Sequence, residues 1–171
     1  MPEHHPLRRL FLGLTDRALT HTSLRDRDIL NYLSNLLMSY MYVEDLCKLT
    51  DENGKRLEYL VDMLEHASQQ GSVAEKKGSY QQIGDYSLFV LGMFPESLGQ
   101  GRRALPPSYY AETGRHGYRV ASELESALKT TVVFRKLAGK FERCVLSLNW
   151  IREYTPIPSI SICCASSVLP S

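Results

Sequence analysis

Several features that would indicate a particular function are scarce or missing in this sequence of 171 residues. The four cysteines form no C-x-x-C pair, and their spacing matches no zinc site. No apolar run approaches the roughly 20 residues that a helix needs to span a membrane. Basic and acidic side chains number 20 and 19, so the chain lacks the basic excess of a nucleic-acid binder. The sequence therefore predicts neither a membrane partner nor a nucleic-acid partner.

The sequence templates of common catalytic and cofactor sites are missing as well. There is no Gly-x-Ser-x-Gly turn, no phosphate-binding loop and no Gly-x-Gly-x-x-Gly fingerprint. A di-iron site in a helical bundle needs two Glu-x-x-His motifs, and the sequence has none. Glu112 and His116 are four residues apart, which is typical of an exposed pair on one helix face. We therefore predict no catalytic residue, no metal and no cofactor, and the sequence favours a protein that is not an enzyme.

The cysteines and the first residues of the chain indicate a cytoplasmic location. Cys47 and Cys144 fall on apolar helix faces, where a free thiol behaves as a small hydrophobic group. The apolar run over 10–12, which follows Arg8 and Arg9, is too short for the core of a signal peptide. Reduced thiols are typical of the cytoplasm.

Apolar residues recur at spacings of three and four along most of the chain, which is typical of amphipathic helices. The pattern predicts about six helices, which begin near residues 6, 29 and 57 and then cover 83–94, 108–128 and 131–154. The fourth is apolar nearly all round, so we expect it to be buried on every side and to end at Pro95. The predicted fold is all-α, a single bundle-like domain over 1–155 around this helix. An uncharged Pro/Ser-rich tail follows over 156–171.

Local signals predict where several of these helices begin and end. Either Asp26 or Asp28 can cap the second helix, since both precede its apolar stripe. The segment 51–54 predicts a turn before the third helix. The pair Gly71-Ser72 indicates a break, and Gly78-Ser79 indicates the start of the fourth helix.

Glycines within two of the predicted helices indicate a close contact. Gly84 and Gly92 share one face of the fourth helix, and Gly114 and Gly117 share one face of the fifth. A glycine inside a helix costs about 1 kcal/mol relative to alanine, so these positions need a compensating reason. The spacing predicts that the two helices cross with their backbones close together. The alternative is that the glycines leave room for a ligand.

Asp85 lies beside Gly84 within this apolar helix, where a carboxylate is costly unless it is paired. Six residues on the fifth helix are its candidate partners: Tyr109, Tyr110, Arg115, His116, Tyr118 and Arg119. All of them except His116 join Asp85 in the predicted ligand site. Tyrosine suits this role because its hydroxyl can satisfy a buried carboxylate. The alternatives are a buried polar contact that fixes helix register and a carboxylate that reaches solvent.

The segment over 84–96 reads Gly-Asp-Tyr-Ser-Leu-Phe-Val-Leu-Gly-Met-Phe-Pro-Glu, and Tyr109-Tyr110 and Gly114-Arg115-x-x-Tyr118 follow it. Over about residues 80–125 this pattern resembles an uncharacterised family of bacterial all-helical proteins. The resemblance implies an all-helical fold and marks the glycines, Asp85 and the tyrosines as the pattern of that family. It implies no activity.

The sequence leaves three functions open. Long Leu-rich helices without a catalytic motif favour a non-enzymatic protein that acts through association, as a homo-oligomer or with another partner. The alternative is a helical bundle that binds or converts a small polar molecule in a pocket near Asp85. Nucleic-acid binding is a third hypothesis, which the charge balance opposes. It would use four arginines: Arg102, Arg103, Arg115 and Arg119.

Overall fold

The computed structural model describes residues 6–41, 56–98 and 105–154. Over these ranges the chain forms seven α-helices, one short 3-10 helix and no strand. In chain order they are α1 (Pro6–His21), α2 (Arg27–Met41), α3 (Arg56–Ser68), α4 (Val73–Met93), η1 (Pro95–Ser97), α5 (Pro107–Leu124), α6 (Leu128–Gly139) and α7 (Phe141–Tyr154). The predicted all-α fold is confirmed. The predicted turn over 51–54 and the tail over 156–171 lie outside the described residues.

The turn that ends α1 is a Schellman motif. Ser23 adopts a left-handed backbone conformation with φ of 56°. The backbone N–H of Leu24 donates to the carbonyl of Leu19 at 2.8 Å, which closes the turn. Both leucines are buried in the hydrophobic core.

Asp26 caps the first turn of α2, which settles the choice between the two predicted caps. Its Oδ1 accepts the backbone N–H groups of Asp28 and Ile29 at 3.0 and 3.3 Å. Lys136 of α6 reaches the carboxylates of Asp26 and Asp28 at 3.1 and 2.7 Å. The start of α2 is therefore tied to α6.

Helix α4 is the central helix and begins earlier than predicted. Ser72 caps it, because its hydroxyl accepts the backbone N–H of Glu75 at 3.1 Å. The helix then continues through Gly78, so the predicted start at that residue is wrong. From residue 83 to residue 93 every residue except Asp85 is buried. Helices α2, α3, α5 and α7 pack around it, which confirms the prediction of a buried fourth helix.

A side chain of α7 completes the end of α4. Pro95 has no backbone N–H, so the carbonyl of Leu91 lacks its usual helical donor. In the orientation that gives its amide two partners, Asn149 donates to the carbonyls of Leu91 and Gly92 at 3.2 and 2.6 Å. Gly92 itself faces Leu148 of α7, so it is not part of the predicted crossing with α5.

The predicted sixth helix is in fact two helices. The chain leaves helical geometry at Lys140, where φ is −116° and ψ is 23°, and α7 starts at the next residue. The prediction of one helix over 131–154 is wrong because the apolar pattern continues across the break, with Leu137 and Phe141 both buried. Helix α5 ends at Leu124 rather than at 128.

Helices α4 and α5 cross with their backbones close together, as the glycines predict. A Cβ atom on Gly117 would lie 2.6 Å from the carbonyl oxygen of Tyr80 and 2.9 Å from the backbone nitrogen of Gly84. A Cβ atom on Gly84 would lie 2.8 Å from the ring of Tyr118. Protein atoms therefore fill the space at these two glycines, which disfavours the alternative of a ligand there.

Candidate functional site

Asp85 on α4 accepts hydrogen bonds from tyrosines on two other helices. The hydroxyl of Tyr32, on α2, donates to Oδ1 at 2.6 Å, and that of Tyr118, on α5, donates to the same oxygen at 2.7 Å. The side-chain nitrogen of Gln81 donates to the Tyr32 hydroxyl at 3.2 Å. These four residues are called the Asp85 cluster below. The cluster joins α2, α4 and α5 at one point.

Aromatic rings hold the two tyrosines in place. Tyr32 and Tyr118 meet edge to face, with ring centroids 6.0 Å apart. Phe134 of α6 lies edge-on to Tyr32 and stacked on Tyr118, at 6.2 Å from each. Edge-to-face and offset arrangements are the favoured geometries of aromatic pairs. The packing therefore restricts both hydroxyls to positions beside the Asp85 carboxylate.

The second carboxylate oxygen of Asp85, Oδ2, receives no hydrogen bond from the described residues. Asp85 is partly exposed. Within the same ranges, the enclosed polar side-chain atoms that lack a partner are Oγ1 of Thr15 and Oγ of Ser87. Oδ2 is not one of these enclosed atoms, so it keeps some contact with solvent. The carboxylate is thus held through Oδ1, while Oδ2 has no donor among the described residues.

Burial raises the pKa of Asp85 from 3.8 to about 6, although the hydrogen bonds from Tyr32 and Tyr118 lower it. Burial also raises the pKa of each tyrosine well above 10, and the adjacent carboxylate adds to this effect. At neutral pH the two phenols therefore remain hydrogen-bond donors, while Asp85 is mostly ionised.

Of the five fifth-helix residues in the predicted ligand site, the structure brings one, Tyr118, to Asp85. The other four form no hydrogen bond with this carboxylate: Tyr109, Tyr110, Arg115 and Arg119. Arg115 instead pairs with Glu142 of α7 at 3.3 Å, and Arg119 is exposed. The two tyrosines among the four belong to the hydrophobic core or pack against it.

Two members of the Asp85 cluster were missed in the sequence. Gln81 lies one helical turn before Asp85, so helix spacing alone could have indicated it. Tyr32 lies 53 positions before Asp85 on another helix. The only sequence signal for its role was its position beside the apolar stripe of α2.

Outside the Asp85 cluster, the described residues provide few groups that could bind a ligand or react. One cleft of about 480 Å³ lies at the corner of α1 and α2, and another of about 340 Å³ lies between α3 and α4. Asp85 lines neither of them. No group of three metal-ligating side chains occurs over 6–41, 56–98 and 105–154. Burial raises the pKa of the Cys144 thiol to about 12, so this thiol is a poor nucleophile at neutral pH.

None of the described helices is long and apolar enough to cross a membrane. The chain matches no protein-family model, no curated protein and no solved structure.

Proposed function

We propose that the protein binds a small polar ligand at the Asp85 cluster and acts without catalysing a reaction. The observation that carries the proposal is the asymmetry of the carboxylate, whose Oδ1 accepts both tyrosine hydroxyls while Oδ2 has no donor among the described residues. Two fixed donors orient the carboxylate before a ligand arrives, which lowers the entropic cost of binding. A partly enclosed acid with a raised pKa is also typical of functional sites.

The same hydrogen bonds join three helices, so the cluster contributes to stability as well. A purely structural buried carboxylate is best satisfied by donors to both of its oxygens. Here Tyr32 and Tyr118 both donate to Oδ1. This arrangement favours a site that presents Oδ2 to a ligand over a contact that serves the fold alone.

An NMR titration of protein with labelled tyrosine rings and aspartate carboxyl carbons tests the proposal. The probes are small amines, alcohols, amides and carboxylates. We expect at least one probe to cause saturable shifts at Tyr32, Asp85 and Tyr118, and Asp85→Asn to abolish them. Asp62→Asn is the matched control, because it removes a carboxylate from the cleft between α3 and α4. Shifts that persist in Asp85→Asn, or the absence of saturable shifts with every probe, would contradict the proposal.

Association with a second copy or with another protein is a second proposal, which exposed apolar side chains on two helices support. Val73 on α4 and Leu128 on α6 are 63% and 77% exposed. Val73 lies one helical turn before Lys77, and Leu128 lies three residues after Glu125; the charged atoms of Lys77 and Glu125 are 2.8 Å apart. Exposed apolar patches are typical of interaction surfaces.

Sedimentation equilibrium over a range of concentrations tests association. We expect wild-type protein to form a homo-oligomer and the double variant Val73→Ser/Leu128→Ser to dissociate more readily. Leu146→Ser is the control, because Leu146 is 56% exposed but lies on α7. A wild-type protein that stays monomeric at high concentration and captures no partner contradicts this proposal.

A cytoplasmic location is also proposed, as is membership of the bacterial family that the motif over 84–96 resembles. The buried free thiol of Cys144 supports the location, since free thiols persist in a reducing compartment.

A further inference from the structure

We propose that the ligand of the Asp85 cluster presents a positively charged ammonium group to Oδ2. This inference rests on the proposed function and specifies the chemical class of the ligand. It follows from the charged groups around Asp85 and from the Tyr32 ring beside it.

No cation of the described residues compensates the charge of Asp85. The groups that face it from α2 and α5 are the hydroxyls of Tyr32 and Tyr118, which are neutral donors. On α4 itself, Lys77 lies two helical turns before Asp85 on the same stripe, but it is bound to Glu125 at 2.8 Å.

Cations on the neighbouring helices are directed elsewhere. Lys136 of α6 is bound to the carboxylates at the start of α2, and Arg115 of α5 is bound to Glu142. Arg119, next to Tyr118 in the chain, is exposed and forms no ion pair with Asp85 in the described part of the chain. His66 of α3 lies against Gln70 at 2.6 Å.

A partly buried carboxylate without a counter-charge is a high-energy group at neutral pH. Charges removed from water are normally paired, because desolvation is otherwise uncompensated. A ligand cation at Oδ2 would supply the missing charge, whereas a neutral donor would supply a hydrogen bond alone and an anion would be repelled. The burial that raises the pKa of Asp85 is the desolvation that such a cation would offset.

The aromatic surroundings favour the same class of ligand. The ring of Tyr32 is partly exposed, whereas the rings of Tyr118 and Phe134 are 0% and 1% exposed and stack on each other. Aromatic faces attract ammonium groups through their quadrupoles, and the attraction is stronger where water is excluded. The Tyr32 ring beside the carboxylate therefore favours an organic cation over a neutral molecule of the same shape.

Three probes of matched size separate charge from shape: n-butylamine, which is protonated at neutral pH, n-butanol and butyrate. We expect butylammonium to cause saturable shifts at the Asp85 carboxyl carbon and the Tyr32 and Tyr118 rings. Its binding should be at least about tenfold tighter than that of butanol, a difference of about 1.4 kcal/mol, and butyrate should not bind. Asp85→Asn should abolish the effect of the amine, and Asp62→Asn should leave it unchanged.

The outcomes distinguish the two proposals. If butanol binds as tightly as the amine and both depend on Asp85, the proposed function stands and the inference about charge is wrong. If butyrate binds best, the inference is also wrong. If none of the three probes causes saturable shifts at the cluster, the inference is overturned, and failure of the wider probe set overturns the proposed function as well.

A measurement on wild-type protein keeps the inference testable even if Asp85→Asn does not fold. Protonation of Asp85 removes the charge that holds the amine, so the affinity should fall about tenfold for each pH unit below the pKa of Asp85. Saturation with the amine should in turn lower the pKa that is read from the Asp85 carboxyl carbon. An affinity that is the same at about pH 5 and about pH 7.5 overturns the inference.

Discussion

Asp85 makes the stability of the folded chain depend on pH in the direction opposite to that of a salt-bridged carboxylate. Its pKa is raised from 3.8 to about 6, so the folded protein binds this proton more tightly than the unfolded chain. The contribution of Asp85 to stability is therefore fully present below about pH 4 and is lost as the pH rises through 6. The stability lost between about pH 4 and pH values above 6 is about 3 kcal/mol.

Asp85→Asn tests this pH dependence. The amide oxygen of asparagine can still accept from Tyr32 and Tyr118, but the side chain does not ionise. We expect the variant to gain stability relative to wild type as the pH rises from about 4 to about 7, because only wild type loses the contribution of a protonated acid. Urea unfolding across this range measures the difference in the free energy of unfolding between the two proteins. The contributions of other titrating groups are the same in both proteins and cancel in this difference. A difference that is independent of pH would show that the pKa of Asp85 is not raised.

Ser23 is the second residue whose local environment predicts a measurable effect. Its φ of 56° is a conformation that glycine adopts without steric cost. We expect Ser23→Gly to stabilise the protein by up to about 1 kcal/mol and Ser23→Val to destabilise it. Ser39→Gly, within α2, is the control and should lose about 0.5 kcal/mol. Thermal unfolding measures all three, and a loss of stability in Ser23→Gly would contradict the assignment of the turn.

Among the helices, some boundaries could be read from the sequence and others could not. Pro95 fixed the end of α4, because a proline cannot donate to the preceding turn. The start of α4 was missed because its first turns, from Val73 onward, are exposed and carry no apolar stripe. The break at Lys140 was missed because hydrophobic periodicity reports burial, and the helices on both sides of the break bury the same stripe.

The crossing of α4 and α5 predicts opposite effects for two glycine-to-alanine substitutions. Gly117→Ala places a methyl group against the backbone of α4, which cannot yield as a side chain can. We expect a loss of about 1–3 kcal/mol. Gly78→Ala, on an exposed part of α4 with nothing within 4 Å of the new methyl group, should gain about 0.5–1 kcal/mol. Urea unfolding of both variants checks this, and equal effects would contradict the close crossing.

The contact between Asn149 and the end of α4 can be tested in the same way. Asn149→Ala leaves the carbonyls of Leu91 and Gly92 without their donors, and we expect a loss of about 1–2 kcal/mol. Asn31→Ala, at an exposed position on α2, should change stability by less than about 0.5 kcal/mol. Hydrogen exchange should also become faster in the last turn of α4. Unchanged exchange there would show that Asn149 does not complete the helix.

On the scale of the whole molecule, the sequence predicted the centre of the candidate site but not its full membership. Asp85 and Tyr118 were predicted because both lie on helices whose mutual contact the glycines indicated. Tyr32 could not be predicted, because no local pattern records that α2 packs where α4 and α5 cross. A contact between distant parts of the chain depends on how all the helices pack together. The sequence of a single segment does not specify that packing.

Because α4 contacts four other helices, we expect the helical domain to unfold in one cooperative transition. The single tryptophan, Trp150, lies on α7 against His21 at the end of α1, with ring centroids 5.8 Å apart. Its fluorescence should change at the same urea concentration as the helical circular dichroism signal. Two separate midpoints would show that α1 and α7 form a unit that unfolds independently.

The contact of Gly84 with the Tyr118 ring has a consequence for how this protein can vary. Any side chain at position 84 would push that ring away, and the ring carries the hydroxyl that Asp85 accepts. A change that begins as a packing fault would thus alter the proton affinity of the neighbouring acid. A substitution at position 84 therefore affects two features at once: the close contact between α4 and α5, and the hydrogen bond from Tyr118 to Asp85.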